Sequence, residues 1–104
     1  SLEVGIQFAQ RGDWEEAIRH FRSALDFVDG LPGLDASTVA KVHWNLGLAY
    51  EYTFQFDRAI QEVKKAFAMT NDSSFLRELD NIKRLRADQK KLEGQLGDAP
   101  ANTM

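Results

Sequence analysis

In this 104-residue sequence, the first candidates for metal binding or acid-base catalysis are the histidines and the acidic residues. The two histidines, His20 and His43, do not stand one helical turn apart, the spacing typical of zinc ligands. We interpret each as a helix-surface or inter-helix residue. Glu15 and Glu16 are typical of a first helical turn, where the helix dipole favours acidic side chains. Because cysteine is absent as well, the sequence predicts no enzyme, no metal site and no cofactor.

Two further motifs match chemical sites only in form. The segment from Gly30 to Gly33 is rich in glycine, but the Lys-Ser or Lys-Thr pair of a phosphate-binding loop does not follow it. Asn71-Asp72-Ser73 fits the glycosylation acceptor pattern. Nothing in the sequence indicates secretion, so we interpret this segment as a loop that caps a helix.

Composition narrows the function classes further. The length suits one small domain with a single core. With 13 basic and 16 acidic side chains, the net charge of -3 lacks the positive excess on which non-specific nucleic-acid binding depends. Charged residues interrupt every apolar run before the roughly 18 residues that a membrane span needs. We therefore predict no nucleic-acid partner and no membrane insertion. No targeting signal is present, so the localisation stays unknown.

A pattern of small and large residues occurs twice, at a spacing of 42 residues. Its positions are Gly5, Phe8, Gly12, Trp14, Ala17, Phe21 and Ala24 in the first copy, and Gly47, Tyr50, Phe54, Phe56, Ala59, Val63 and Ala66 in the second. In the first copy, Gly12 and Asp13 interrupt the helical periodicity, and Asp13 with Glu16 predicts a capping box for the next helix. Each copy therefore predicts two helices that approach closely at small residues.

This pattern resembles the tetratricopeptide repeat, a helix-turn-helix unit that stacks into a superhelix. The best matches are RGDWEEAIRHFRSAL (Arg11 to Leu25) and NLGLAY (Asn45 to Tyr50). Phe54 replaces the usual turn glycine, and Val63 replaces an aromatic residue. The spacing exceeds the usual repeat of about 34 residues, and the extra residues fall in a loop between Asp29 and Ser37. There Asp35 can cap the next helix. The resemblance implies an all-α fold, a fragment of an α-solenoid.

A third helical segment is predicted from a cap at Asp72 or Ser73 to about Leu96. An array of stacked hairpins needs an element that covers its last apolar face, and we expect this helix to do so. Gly94 and Gly97 are expected to end it. The predicted organisation is therefore two hairpins over residues 1–69, a capping helix over 70–97 and a disordered tail over 98–104. Whether further repeats precede Ser1 is left open.

The resemblance also implies where a partner would bind. In this family, partners usually lie in a concave groove lined by the first helix of each hairpin. The matching positions here are Leu2, Ile6, Lys41, Trp44, Leu48, Glu51 and Tyr52. A subset of the family binds chaperone C-termini with lysines and asparagines, but Leu2 and Ile6 replace two of those residues. The predicted groove is therefore apolar, and it lacks that carboxylate clamp.

These residues predict a non-catalytic protein-protein interaction module that binds an amphipathic helix or an apolar peptide. Trp44 and Leu48 are expected to be buried by the partner, and Lys41 and Glu51 to set its orientation. One alternative is structural, with the last helix lying in the groove or Trp44 belonging to the core. Another is self-association as a homodimer or scaffold, through the same apolar stripe or through Leu85, Leu92 and Leu96. These leucines continue a spacing of four, three and four residues with Gln89, which is coiled-coil-like over about two heptads.

Overall fold

The computed structural model describes residues 1–28 and 35–98, and this part of the chain folds into five α-helices without a strand. The helices are α1 (Leu2–Gln10), α2 (Trp14–Val28), α3 (Ala36–Tyr52), α4 (Phe56–Thr70) and α5 (Ser73–Asp98). Each helix packs on the next one along the chain. The fold is all-α and consists of two helical hairpins and a last helix, as the sequence predicts. Most of the predicted loop after Asp29 and the tail beyond residue 98 lie outside the described residues.

The two hairpins share the same turn, in which one residue adopts a left-handed backbone conformation. Gly12 has φ +81° in the first turn, and Phe54 has φ 62° at the equivalent position of the second. The Asp13 amide donates to Phe8 O at 2.9 Å, and the Gln55 amide donates to Tyr50 O at 2.8 Å. This is the hydrogen-bond pattern of a Schellman motif, which satisfies the last carbonyls of a helix. Phe54 therefore performs the backbone role of the glycine that it replaces.

A glycine brings the two helices of each hairpin together. A Cβ atom on Gly5 would lie 2.6 Å from the ring of Phe21, and one on Gly47 would lie 3.0 Å from Val63. Phe21 and Val63 are both fully buried, and they occupy the same position of the repeated pattern. The predicted close approach at small residues is confirmed in both hairpins. The residue that packs against the glycine is phenylalanine in the first hairpin and valine in the second, but it occupies the same position in both.

Helix α3 lies at the centre of the packing, between α2 and α4. Apolar residues of four helices meet in one core, and those of α3 and α4 are the most numerous. The core consists of Ala17, Phe21, Leu25, Val42, Leu46, Ala49, Tyr50, Phe56, Ala59, Ile60, Val63, Leu79 and Ile82. Leu79 and Ile82 belong to α5, so the last helix packs on the second hairpin and contributes to the same core.

Side chains cap three of the helix starts, and at α1 the Ser1 hydroxyl accepts a hydrogen bond from the Val4 amide. Asp35 accepts a hydrogen bond from the Ser37 amide at the start of α3, and Asp72 accepts one at 2.9 Å from the Ser74 amide at the start of α5. Both predicted caps are confirmed. The predicted capping box at α2 is not found in the described part of the chain. Glu16 pairs with Arg19 instead, because a pair three residues apart on the helix surface is within easy reach.

The last helix is longer than the sequence predicts. It continues through Gly94 and Gly97 to Asp98, so the two glycines do not end it and Asp98 is helical instead of belonging to the tail. A glycine inside a helix costs about 1 kcal/mol relative to alanine, which weakens a helix without terminating it. The result is a helix of 26 residues beside the 15 residues of α4.

The left-handed conformation of Gly12 in the first turn can be tested by a substitution that changes no side-chain contact. A Cβ atom added at Gly12 or at Gly94 would meet nothing within 4 Å. Gly12→Ala is expected to lower the free energy of unfolding by about 1–2 kcal/mol, because alanine is strained at positive φ. Gly94→Ala is the matched control, and we expect it to raise stability by up to about 1 kcal/mol in its helical position. Chemical denaturation measures both, and equal effects of the two variants would contradict the assigned turn.

The buried ring of Phe21 is expected to be essential for the stability of the first hairpin. Phe21→Ala should lower the free energy of unfolding by about 3–5 kcal/mol, since it leaves a cavity against Gly5. Phe27→Ala, on the same helix but at a side chain that is 70% exposed, should change it little. Thermal unfolding compares the two variants. A midpoint for Phe21→Ala close to that of the parent would show that the hairpin seam is wrongly assigned.

Candidate groove surface

One face of α3 carries the predicted partner-binding residues of the second hairpin. Lys41, Trp44, Leu48 and Glu51 follow one another at spacings of three, four and three residues, and Tyr52 is adjacent. These spacings place all five on one side of the helix. The core residues of α3, such as Val42, Leu46 and Tyr50, lie on the other side. We call the five residues Lys41, Trp44, Leu48, Glu51 and Tyr52 the α3 face.

Trp44 forms the apolar centre of the α3 face together with Leu48. Both side chains are half-buried, and neither belongs to the buried core. The ring of Trp44 packs against that of Phe75 on α5, with ring centres 5.0 Å apart and an angle of 42° between the planes. Trp44 therefore has one contact with the capping helix and keeps part of its surface free. Nothing in the sequence alone paired it with Phe75.

The predicted groove residues of the first hairpin, Leu2 and Ile6, lie on α1. Leu2 and Ile6 occupy the positions of Trp44 and Leu48 in the first copy of the pattern. Both are half-buried and pack against the core, and α1 touches α3 only sparsely. Leu2 and Ile6 therefore help to stabilise the first hairpin. A partner could contact only the part of each side chain that remains exposed.

Glu51 faces a second acidic residue, Glu78, which extends from α5. Burial, a hydrogen bond with Glu78 and the charge of Glu78 raise the pKa of Glu51 to about 7. As a carboxylate, Glu51 leaves its Oε2 atom buried without a hydrogen-bond partner among the described residues. The raised pKa of Glu51 favours its protonated form, in which one carboxyl oxygen becomes a hydrogen-bond donor. Sequence reasoning assigned Glu51 to the groove but missed Glu78, because only packing brings α5 beside α3.

The two ends of the α3 face have different surroundings. Tyr52 is 60% exposed, and its ring stacks on that of Trp14 with centres 4.6 Å apart and planes inclined by 8°. This stack joins the start of α2 to the end of α3. Lys41 is exposed near the start of α3. The face thus has a basic end, an apolar centre and an acidic end.

The histidines lie away from this face, between helices. His20 stacks on the ring of Phe8 with centres 5.4 Å apart. His43 is buried, and its Nδ1 atom lies 3.4 Å from Glu62 Oε1 on α4. The interpretation of both as inter-helix or surface residues is confirmed. No group of three or more potential metal ligands gathers in the described part of the chain.

Glu62 is a buried acid that the sequence did not single out. Burial opposes its charge, but the hydrogen bond and charge of His43, with a contribution from Lys65, outweigh burial and hold the pKa of Glu62 below its ordinary value. With His43, it lines a cleft of about 470 Å³ that includes Arg22 and Arg58. We assign the pair to the seam between α3 and α4, because both side chains are buried there.

None of the helices in residues 1–28 and 35–98 combines the length and the apolar character that a membrane crossing requires.

Comparison with known proteins identifies the repeated unit. A family model for the tetratricopeptide repeat matches residues 1–72, which include both hairpins and the turn before α5. No curated protein and no solved structure gives a significant match.

The Glu51–Glu78 contact predicts a pH dependence of stability. The folded-state pKa of Glu51, about 7, lies above its ordinary value of 4.5. Its favourable contribution is therefore complete below about pH 4.5 and is lost as the pH rises through 7. Glu51→Gln removes this loss, so its thermal midpoint relative to the parent should be higher at pH 8 than at pH 5.5. Glu15→Gln, at an exposed position of α2, is the control and should keep a constant difference from the parent. Parallel pH curves for Glu51→Gln and the parent would refute the coupling.

Proposed function

Since the chain belongs to the tetratricopeptide repeat family, whose members are protein-protein interaction modules, we propose that it binds a peptide or an amphipathic helix along the α3 face. The observation that carries this proposal is the state of Trp44 and Leu48. Both are half-buried apolar side chains outside the core, one turn apart on a helix whose opposite side is fully packed. Apolar surface of this kind on an interaction module favours burial by a partner. No catalysis is implied.

Trp44 is the proposed anchor of the partner. Its large rigid ring buries much area at little entropic cost, and tryptophan is enriched at binding hot spots. The contact with Phe75 holds one part of the ring in place, so little rotational freedom is lost when a partner covers the rest. Leu48 extends the apolar centre. Leu2, Ile6 and Tyr52 would enlarge the site at its margins, where each retains some exposure.

The charges at the two ends of the α3 face would orient the partner. Lys41 and Glu51 are ten residues apart in α3, which corresponds to about 15 Å along a helix. Lys41 favours an acidic group of the partner, and the Glu51–Glu78 pair favours a basic group. A basic side chain beside Glu51 would also stabilise its charged form. The proposed ligand therefore has an apolar centre with an acidic group on one side and a basic group on the other.

The test uses peptides selected on the immobilised chain from a display library of helical and extended sequences. A peptide that binds the α3 face should lose at least about 2 kcal/mol of affinity with Trp44→Ala, as hot-spot truncations do. Leu48→Glu should also weaken it, because the variant places a charge in the apolar centre. Isothermal titration measures the affinities, and circular dichroism checks that each variant is folded.

Phe27→Ala is the matched control, since Phe27 is an exposed aromatic residue on α2 instead of α3. It should leave peptide affinity unchanged. If Trp44→Ala kept the affinity within about 0.5 kcal/mol of the parent, Trp44 would not be the anchor. If no selected peptide responded to either α3 variant, the proposed binding site would be wrong.

Self-association is the second candidate function. The observation that favours it is separate from the α3 face: α5 carries exposed leucines at positions 85, 92 and 96. Short repeat arrays bury a limited core and gain stability from such additional packing.

A further inference from the structure

The second half of α5 has an apolar side that the described part of the chain leaves increasingly exposed toward Leu96. Leu85 is 37% exposed, Leu92 is 57% exposed and Leu96 is 71% exposed. With Gln89 they follow one another at spacings of four, three and four residues, which places all four on one side of the helix. We call Leu85, Gln89, Leu92 and Leu96 the α5 stripe.

The stripe lies where α5 leaves the second hairpin. Arg86 on α5 donates to Asp57 in the first turn of α4, at 2.9 Å. Because α4 and α5 are consecutive helices that pack together, the start of α4 marks the end of their direct packing. Beyond it, Gln89 and Glu93 of α5 line an open cleft with the residues around Phe54. Exposure of the leucines rises with distance beyond this ion pair, and the described residues span 60 Å in their longest direction.

A projecting helix of this kind is poorly stabilised by itself. Short helices without tertiary packing are marginal in water, and Gly94 weakens this one further. Exposed leucines at its surface add an unfavourable contact with water. The α5 stripe therefore favours a partner helix, and the sequence of α5 indicates which one.

We propose that the α5 stripe pairs with the same stripe of a second copy of this chain, with the two helices antiparallel. In this register Leu85 faces Leu96 of the second copy, and Gln89 faces its Leu92, so each layer contains at least one leucine. The two hairpin bodies lie at opposite ends of the helix pair, which keeps them apart.

The charges beside the stripe select the antiparallel direction. Arg86 and Glu93 occupy equivalent flanking positions on one edge of the stripe, seven residues apart. An antiparallel pair brings Arg86 of each chain near Glu93 of the other, which gives two opposite-charge contacts. A parallel pair would instead bring Asp88 of one chain near Glu93 of the other, which is repulsive. Lys91 lies on the outer side of the helix, away from the stripe.

The experiment reverses these charges and measures the mass in solution by sedimentation equilibrium over a range of concentrations. The parent should change from one chain mass to two as the concentration rises. Glu93→Arg leaves only positive charges at the contacts, and Arg86→Glu leaves only negative ones. Each variant alone should raise the dissociation constant of the dimer about tenfold. An equimolar mixture of the two should restore the dimer, because every contact is then attractive.

Two controls keep the test decisive. Lys91→Glu changes a charge on the outer side of α5 and should leave the dissociation constant unchanged. Since Arg86→Glu also loses the ion pair with Asp57, the double variant Asp57→Lys, Arg86→Glu restores that pair with reversed sign if the single variant is unstable. Circular dichroism confirms the fold of every variant.

Each possible result either supports or overturns the proposed antiparallel pair. Weakened dimers for each single variant and a restored dimer in the mixture support the antiparallel pair. A parent that stays monomeric at all concentrations overturns the proposal. A dimer that ignores both charge changes, or a mixture that does not recover, overturns the proposed interface and register. None of these results depends on peptide binding at the α3 face, so the two proposals can fail separately.

Discussion

The structure depends on how closely two helices can approach within each hairpin. Gly5 and Gly47 have no side chain to separate the helix axes, so Phe21 and Val63 pack directly against the backbone of the preceding helix. Protein interiors are packed densely, and even one methyl group at such a seam displaces its neighbours. The close seam sets the relative position of α1 and α2, and of α3 and α4. The positions of the core and of the exposed faces follow from it.

The packing of α3 determines which of its residues are exposed. One side of α3 is packed between α2 and α4, and Val42, Leu46 and Tyr50 are buried there. Because a helix presents opposite sides to different surroundings, burial of that side leaves Trp44, Leu48 and Glu51 on the other. The contacts with Phe75 and Glu78 then come from α5. The capping helix therefore completes the core with Leu79 and Ile82, and it forms one boundary of the α3 face.

The two exposed apolar regions differ in what surrounds them. The α3 face has charges of opposite sign at its ends, and its aromatic centre is partly held by α5; under the proposed function, these features would orient a partner. The α5 stripe has leucines and a repeated charge pattern along one helix, which suits a copy of itself. A chain with both could present two α3 faces in one assembly, and the gain in apparent affinity for a partner with two binding segments would then come from multivalency.

The sequence by itself determined the repeated hairpins, their turns, and the side of α3 that faces away from the core. These features depend on local spacing, on glycine at positive φ and on helical periodicity, all of which are visible in the order of residue types. Even the departure at Phe54 was recognisable as a turn position, because its place in the repeat was known. Local patterns were less reliable at Gly94 and Gly97, where the helix continues because a glycine weakens a helix without ending it.

Only the tertiary structure decided which side chains meet across helices. The contact of Trp44 with Phe75, the shared burial of Glu51 with Glu78 and the pairing of His43 with Glu62 each join residues from different helices. Such contacts depend on the crossing angle and relative rotation of packed helices, which no spacing along one helix specifies. For the same reason the pKa of Glu51 could not be predicted from its neighbours in the sequence. It depends on an acidic residue of α5 that packing brings beside it.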